Sequence, residues 1–423
     1  MHQATPLHRS LVLAAALGAT ACVPPQDSEE ERSGFTDNGA ACMATLDSQH
    51  YLTTARGHHL FVEPRFVEAR DADVVVMGTP TYAWSIEDAG AGNPLRASVA
   101  TTEPFVGASF TPTEARTIAP PRETGAVRWI HGAVLPDGPS GFVLESPEST
   151  EPDAPTGALV FARFGAAGWE EVDSIPVPGE GELLSGIATH PLYDDGELLW
   201  AALLVQGVRA FVALYRRDDG GWRGPEVVDA HPDDIAAAVA PSGDPVLVVA
   251  GLDPSEDLQR AALRTHQPIT GPAHVVWIAG PDERFRTLTA GATDEGLQAA
   301  WLARGGRRRG AWVVALPSTG RSEPRLLDAQ AGTLSRLGSR GRWAFWVTSG
   351  ADATTGSPRL RLHRSSADSV EQIADLPSPF VGLLSGTLSP TGEIVVVGPE
   401  AHFETTTPFV RSLVLRFSLS CDS

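Results

Sequence analysis

Short apolar segments, frequent turn residues and an internal repeat predict that this 423-residue chain is an all-β protein, a seven-bladed β-propeller. Apolar runs rich in Val, Leu and aromatic residues recur along the sequence, each bounded by Gly, Pro or Asp, as in GFVLE from 141 and PVLVVAG from 245. The 42 glycines and 34 prolines are spread over the whole chain, which favours many short elements over long helices. No helical period of comparable length follows the N-terminal leader.

Two sequence units alternate and set the length of the repeat. The stretch RAFVALYRRDDGGWRGPEVVDA from 209 aligns with GALVFARFGAAGWEEVDSIPV from 157, which places Trp222 on Trp169, and with GAWVVALPSTGRSEPRLLDA from 310. The second unit joins two strands through a Pro and Gly turn, as in VAPSGDPVLVVAG from 239 and LSPTGEIVVVG from 388. Their alternation gives a four-stranded repeat of about 45 to 55 residues, the period typical of propeller blades.

Seven four-stranded antiparallel blades are expected, with starts near residues 58, 125, 183, 234, 284, 332 and 382. The last blade shows only three evident strands. Because an unpaired edge strand promotes aggregation, we expect the N-terminal strand CMATLDSQHYLTTA to complete it. Antiparallel pairing would then place Cys42 beside Cys421, and in an oxidising compartment these two cysteines are expected to form a disulfide.

The N-terminus carries an export signal. Ala19, Thr20, Ala21 and Cys22 follow the apolar run LVLAAALGA and resemble the cleavage site of bacterial lipoprotein signal peptides. The resemblance implies removal of residues 1–21, lipidation of Cys22 with acyl chains such as palmitate, and a lipid-anchored bacterial propeller protein. The alternative is an ordinary secretory peptide cut after Ala21. Val23 stands where an aspartate would resemble an inner-membrane retention signal, so the outer membrane is the favoured destination within the cell envelope, periplasmic or surface-exposed.

The predicted domain plan has three parts. Residues 1–21 form the signal peptide, residues 22–41 a polar and acidic flexible tether, and residues 42–423 the propeller. No other segment predicts a membrane anchor, so the membrane is expected as a partner only through the N-terminal lipid.

Composition and motifs exclude several function classes. The formal net charge of −20 disfavours nucleic acid as a partner. The sequence has no lysine, which excludes a GKS or GKT phosphate loop and a lysine Schiff base. No metal or cofactor is expected, because zinc-helix and calcium-loop motifs are absent. The Gly-His and Trp-Asp pairs of WD repeats, the Asp-box of sialidases and the G-x-S-x-G elbow are also absent, so no catalytic residue is predicted.

One face of the propeller is the candidate binding surface. It carries the connections between second and third strands and those between blades, and it is predicted to hold long loops at 86–104, 145–156, 350–357 and 398–408. Charged residues of the same connections are Glu180, Glu182, His231, Asp233, Asp234, Asp282, Glu283, Arg307, Arg308 and Arg309. The acids could hold a cation or a basic ligand, and the arginines a carboxylate or phosphate. Tolerated loop insertions and solvated surface charge are the alternatives.

The functional hypothesis is a binding or assembly module for a protein or glycan ligand. The alternative, from a different class, is an extracellular sialidase-like glycan hydrolase or lyase. Binding needs only shape and a few anchoring groups, whereas catalysis needs groups held in a fixed geometry with perturbed pKa values.

Overall fold

The computed structural model describes residues 42–51, 59–70, 73–84, 107–110, 115–118, 127–135, 138–145, 158–165, 168–176, 182–188, 200–206, 210–218, 221–253, 260–305, 308–402 and 409–421. Residue contacts divide the chain into Met1–Ala40 and Ala41–Ser423, and every described residue belongs to the second unit. The signal peptide, Cys22 and the tether lie outside the described residues and stay predictions. Within the described ranges, no helix is long and apolar enough to span a membrane.

Seven four-stranded antiparallel sheets make up the described part of the chain, numbered here by the order of their first strands. Sheet 1 contains β2 (His59–Arg70), β3 (Asp73–Trp84), β4 (Gly107–Phe110) and β5 (Ala115–Ile118). Sheet 2 contains β6 (Val127–Leu135), β7 (Gly138–Glu145), β8 (Ala158–Gly165) and β9 (Gly168–Pro176). Sheet 3 contains β10 (Glu182–Ala188), β11 (Trp200–Gln206), β12 (Ala210–Asp218) and β13 (Gly221–Ala230).

The remaining four sheets follow in the same way. Sheet 4 contains β14 (Pro232–Val239), β15 (Pro245–Leu252), β16 (Ala261–His266) and β17 (Ala273–Ile278). Sheet 5 contains β18 (Arg284–Thr293), β19 (Gly296–Arg304), β20 (Gly310–Leu316) and β21 (Arg325–Asp328). Sheet 6 contains β22 (Ala331–Arg340), β23 (Trp343–Ala351), β24 (Pro358–Ser365) and β25 (Val370–Pro377). Sheet 7 contains β26 (Ser385–Leu388), β27 (Glu393–His402), β28 (Phe409–Cys421) and β1 (Cys42–Tyr51).

The first strands of the sheets contact one another in sequence order. Contacts run from β2 through β6, β10, β14, β18 and β22 to β26, and β26 also contacts β2. These strands begin at residues 59, 127, 182, 232, 284, 331 and 385, against predicted starts of 58, 125, 183, 234, 284, 332 and 382. The all-β class is therefore confirmed, and the arrangement is consistent with a propeller-like fold.

Sheet 7 combines strands from opposite ends of the described chain. Strand β1 pairs with β28 in an antiparallel ladder that sets Cys42 opposite Cys421. The two cysteines form a disulfide across a sequence separation of 379 residues, as predicted. The N-terminal strand thus covers the edge of β28 that would otherwise be unpaired.

The hydrophobic core lies between neighbouring sheets. Strand β15 shows how, because its alternating side chains face two different neighbours. Val246 and Val248 pack in a cluster with Trp277 and other residues of sheets 4 and 5. Leu247 and Val249 pack in a cluster with residues of sheets 3 and 4. A strand that is covered on both faces has a continuous apolar sequence, and PVLVVAG is such a sequence.

The predicted long loops are only partly described. The segment 398–408 is not a loop throughout, because β27 continues to His402, which pairs with Phe409 at the start of β28. The segment 350–357 is strand to Ala351 and then a tight turn, in which the Asp352 carboxylate accepts the backbone N–H groups of Thr354 and Thr355 at 2.9 and 2.8 Å. The segment 86–104 lies outside the described residues, as does 145–156 beyond Glu145, where β7 ends.

Candidate functional site

The charged residues predicted from the sequence lie at the ends of strands and in two kinds of connection: those between successive sheets and the one between the second and third strands of sheet 5. Glu180 and Arg307 lie outside the described residues, and Glu182 is the first residue of β10. His231 joins β13 to β14, whereas Asp233 and Asp234 belong to β14 itself and not to the connection before it. The remaining residues lie in the β17–β18 and β19–β20 connections; they are Asp282, Glu283, Arg308 and Arg309.

These connections pack closely against one another at one end of the sheets. His231 and Asp282 both adopt positive φ angles, 60° and 65°, which turn the chain sharply into the first strand of the next sheet. A Cβ atom placed on Gly305, after β19, would lie only 2.3 Å from the carbonyl oxygen of Asp282. Gly251 approaches the carbonyl oxygen of His231 equally closely, at 2.3 Å. Glycine at these two positions allows the strand ends to meet the connections.

Asp234 is a half-buried carboxyl group at the junction of sheets 4 and 5. Its Oδ1 accepts the backbone N–H of Ile235 at 2.9 Å, and its Oδ2 accepts the N–H of Leu288, in β18, at 2.8 Å. Burial raises the pKa of Asp234 to about 6 despite these two hydrogen bonds, and the neighbouring charge of Asp233 raises it further. This carboxyl group therefore retains its proton at a pH where an ordinary aspartate is ionised.

Charged neighbours of both signs lie close to Asp234. Asp233 is exposed as a whole residue, yet partial burial raises the pKa of its carboxyl group, and the positive charges of Arg284 and Arg264 oppose that rise without cancelling it. Arg284 is exposed at the start of β18, where its Nη1 donates to the carbonyl oxygen of Glu283 at 2.9 Å. The site thus places the Asp234 carboxyl group beside a second carboxyl group, Asp233, with Arg284 close to Asp233.

Glu283 and Arg308 pair with each other. Arg308 Nη1 lies 3.7 Å from Glu283 Oε2, and the same carboxylate accepts the backbone N–H of Gly280 at 2.9 Å. The guanidinium lies between two indole rings, with Cζ 4.9 Å from the ring centroid of Trp277 and 5.1 Å from that of Trp312. This arrangement joins sheets 4 and 5 and leaves less of Arg308 available for an external anion.

The aromatic residues next to the Glu283–Arg308 pair form part of the core. Trp277 stacks on Trp301 with centroids 5.3 Å apart, and Phe285 meets both rings at 5.7 and 5.5 Å. Trp301 is fully buried, and Trp277 is nearly so. These tryptophans therefore pack sheet against sheet.

A buried charged group that was not predicted from the sequence lies between sheets 3 and 4. It consists of Asp229, Arg264 and His266 and is called the Asp229 cluster. Arg264 donates from Nε and Nη2 to the two oxygens of Asp229, at 3.0 and 2.8 Å. His266 Nε2 lies 3.1 Å from Asp229 Oδ2, and its Nδ1 lies 2.9 Å from the carbonyl oxygen of Gly271. Burial alone would raise the pKa of Asp229, but hydrogen bonds from His266 and Arg264 lower it below the ordinary value.

A related group, the Asp328 cluster of Asp328, Thr348, Arg361 and His363, lies between sheets 5 and 6. Thr348 donates to Asp328 Oδ2 at 2.6 Å, and its Oγ1 lies 3.0 Å from His363 Nε2. Arg361 Nη1 lies 3.3 Å from Asp328 Oδ2. The signal for both clusters was available: VVDA and LLDA end two of the aligned repeats, and R-x-H occurs in the third strand of each following sheet.

No metal site is evident in the described ranges, where no three His, Cys, Asp or Glu side chains are grouped as ligands. The raised pKa of Asp234 allows this carboxyl group to transfer a proton, and Asp233 and Arg284 add charged groups beside it.

Comparison with known proteins identifies the fold and no family. No family model matches the sequence, and no curated protein sequence matches it. The solved structure of the polysaccharide lyase Uly1 is similar, with a TM-score of 0.50 and 9% identity, covering 90% of this chain and 99% of that one. A polysaccharide lyase of the new family PL25, an ulvan lyase solved alone and bound to -[GlcA(1-4)Rha3S]-, has a TM-score of 0.53 and 9% identity, covering 86% of this chain and 95% of its own. At this identity the similarity concerns the fold alone.

Proposed function

We propose that this protein is a glycan-cleaving enzyme whose active site lies at the end of the sheets that carries Asp233, Asp234 and Arg284. The observation that carries the proposal is the Asp234 carboxyl group, with its pKa raised to about 6 beside an exposed carboxylate. The fold shared with polysaccharide lyases makes polysaccharides the substrate class to test first. This choice favours the alternative of the sequence analysis over a pure binding module.

Asp234 would act as the general acid. Cleavage of a glycosidic bond, by hydrolysis or by elimination, is assisted by protonation of the departing oxygen, and a carboxyl group with a pKa of about 6 can supply that proton in mildly acidic solution. Each Asp234 oxygen accepts one backbone N–H, so the group is held in place from both sides. Arg284 would bind a sugar hydroxyl or a uronate carboxylate, and Asp233 would be the second carboxyl group beside the acid.

The test uses the purified mature protein on a panel of neutral and uronate-containing polysaccharides, followed by new reducing ends and by the ultraviolet absorbance of unsaturated uronate products. We expect turnover that falls as the pH rises through about 6, because the protonated form of Asp234 is the active one. Asp234→Asn should reduce turnover by about 100-fold or more. The matched control is Asp244→Asn, in the β14–β15 turn at the opposite end of the strand, where Asp244 accepts from Ser242 at 2.7 Å.

Two outcomes would contradict the enzyme. Glycan binding without turnover of any polysaccharide would indicate that the protein is a binding module. Turnover that survives Asp234→Asn would place the active site elsewhere.

The architecture and the anchor are part of the same proposal. The seven sheets would be blades of one closed propeller, supported by the contact of β26 with β2 and by the pairing of β1 with β28; an experimental structure in which sheets 1 and 7 are apart would refute it. The protein would be held in the cell envelope by lipid on Cys22. Replacement by Cys22→Ala should abolish incorporation of labelled fatty acid, and retained label would refute the anchor.

A further inference from the structure

Arg336 is a buried cation that lacks a partner among the described residues. It lies within β22, directly opposite Trp346 of β23. Its Nε is shielded from solvent and has no hydrogen-bond acceptor, and no carboxylate of the described ranges forms an ion pair with it. A guanidinium group carries five N–H donors, so burial without an acceptor is unfavourable.

Gly291, in the neighbouring first strand β18, fixes the position of this guanidinium. A Cβ atom on Gly291 would lie 1.9 Å from Arg336 Nε, 2.0 Å from Cζ and 2.3 Å from Nη2. The group therefore lies directly against the backbone of β18, in space that only a glycine leaves free. Gln298, opposite Gly291, cannot neutralise a charge, and its amide is already bonded to the backbone oxygen and the hydroxyl of Ser365.

The other buried arginines of the described ranges show what is missing at this position. Each of four pairs with a carboxylate: Arg264 with Asp229, Arg361 with Asp328, Arg364 with Glu371 and Arg416 with Glu393. Burial lowers the pKa of Arg336 to about 10, with no acid acting in the opposite direction, so the side chain is still a cation at neutral pH. A chain with a net charge of −20 has many acids, yet none of the described ones is placed here.

We propose that Arg336 is the anchor of an anion-binding site between β18 and β22, which takes a small oxyanion: a sulfate, a phosphate or a carboxylate. The planar fork of a guanidinium matches two oxygens of such a group, and hydrogen bonds between oppositely charged partners are among the strongest. Arg336 is half-buried as a whole residue, whereas its Nε is shielded from solvent. The bound anion would supply the negative charge that the protein itself does not. This inference does not depend on the proposed enzyme activity.

The test is thermal unfolding and titration calorimetry of the mature protein in a Tris chloride buffer at constant ionic strength. Sodium sulfate, sodium phosphate and sodium glucuronate are added separately, so that an inorganic anion and a sugar carboxylate are distinguished. We expect at least one of them to raise the Tm saturably and to bind with one site per chain. Arg336→Met should abolish both effects, whereas Arg340→Met, which removes an exposed arginine from the end of the same strand, should retain them.

Stability without added oxyanion gives a second measurement. Arg336→Met should unfold at a Tm equal to or above that of the natural protein, because it removes a buried charge that has no partner. Gly291→Ala should displace the guanidinium and weaken anion binding at least tenfold, which tests the site if Arg336→Met does not fold. The proposal is overturned if no anion shifts the natural protein, if Arg336→Met keeps the saturable shift, or if Gly291→Ala binds as tightly as the natural protein.

Discussion

The Asp229 cluster and the Asp328 cluster are built from the same residue types at matching places, yet their hydrogen bonds differ. In each, an Asp at or near the end of a fourth strand faces an Arg and a His from the third strand of the next sheet. In the Asp229 cluster, Arg264 and His266 both bond the carboxylate directly. In the Asp328 cluster, a hydroxyl group takes one carboxylate oxygen, and the histidine nitrogen lies 4.0 Å from it.

One residue in the second strand accounts for the difference. Thr348 is paired with Arg361 in sheet 6, and Val249 occupies the corresponding position opposite Arg264 in sheet 4. The Thr348 hydroxyl has a single hydrogen and donates it to Asp328, so His363 Nε2 must donate to Thr348. A single oxygen atom in a neighbouring strand therefore decides whether a buried histidine contacts its aspartate.

The two histidines consequently differ in how many of their ring nitrogens have hydrogen-bond partners. Both ring nitrogens of His266 face acceptors, an aspartate oxygen and a backbone carbonyl oxygen. The buried Nδ1 of His363 has no hydrogen-bond partner among the residues that the structure describes. Burial lowers the pKa of His363 to about 4, because a proton on Nδ1 would add a charge in an unsolvated place without an acceptor. The Asp328 cluster thus keeps its buried Arg361–Asp328 ion pair but disfavours a further charge on His363.

Replacing the aspartate of each cluster should give the largest difference in the free energy of unfolding between the two clusters. Asp229→Ala leaves Arg264 and His266 buried without their carboxylate, and we expect it to lower the free energy of unfolding by about 3–5 kcal/mol. Asp328→Ala should cost less, because Arg361 keeps a second carboxylate, Asp375 Oδ2, at 3.6 Å from its Nε. Urea unfolding at pH 7 measures both, with Asp244→Ala as an exposed control. Equal losses for the two variants would show that the difference in hydrogen bonding has no energetic consequence.

The second test uses acid and concerns the histidine of the Asp328 cluster. The pKa of His363 is lower in the folded protein, about 4, than its ordinary value of 6.5, so its contribution is fully present above pH 6.5 and is lost as the pH falls toward 4. The loss amounts to about 3 kcal/mol at most. His363→Gln should therefore lose less stability between pH 7 and pH 4 than the natural protein does. A His266→Gln control should keep the acid-dependent loss caused by His363, and parallel pH profiles for the natural protein and His363→Gln would refute the assignment.

The smallest expected effect comes from converting one cluster toward the other. Thr348→Val removes the hydroxyl group and should lower the free energy of unfolding by about 1–2 kcal/mol, the usual cost of a lost buried hydrogen bond. With the hydroxyl gone, His363 Nε2 can approach Asp328, so the pKa of His363 should rise. Titration of its imidazole C–H resonances by NMR measures the pKa directly. An unchanged value would mean that burial, and not the intervening hydroxyl, controls this histidine.

The sequence predicted the elements better than their contacts. Strands were visible because side chains such as Val246 and Val248 repeat along runs bounded by turn residues. The strand from Cys42 was placed at the edge of sheet 7 because an unpaired edge had to be covered. The cysteine pairing followed from that placement, and it is the long-range contact of the described chain that sequence reasoning identified.

The sequence predicted where the charged residues of the site lie, but it did not predict which residues they pair with. Glu283 and Arg308 were assigned to one face, but their mutual pairing depends on the direction in which the β19–β20 turn points. Arg264 and His266 were overlooked, because the Asp they bind lies in a different sheet, 35 and 37 residues away. Arg336 could not be recognised from the sequence, because its lack of a partner among the described residues is seen only when the packing of β18 against β22 is known.

The pairing of β1 with β28 has a consequence for how the protein is made. Strand β1 is synthesised long before β28, so until β28 follows, β1 lacks its partner strand and Cys42 lacks the thiol of Cys421. Sheet 7 can be completed only after the 379 residues that separate the two cysteines have followed. A product that stops short of β28 therefore keeps a free thiol at Cys42 and an unpaired β1. The same ladder that joins the chain ends in the finished protein distinguishes full-length chains from incomplete ones.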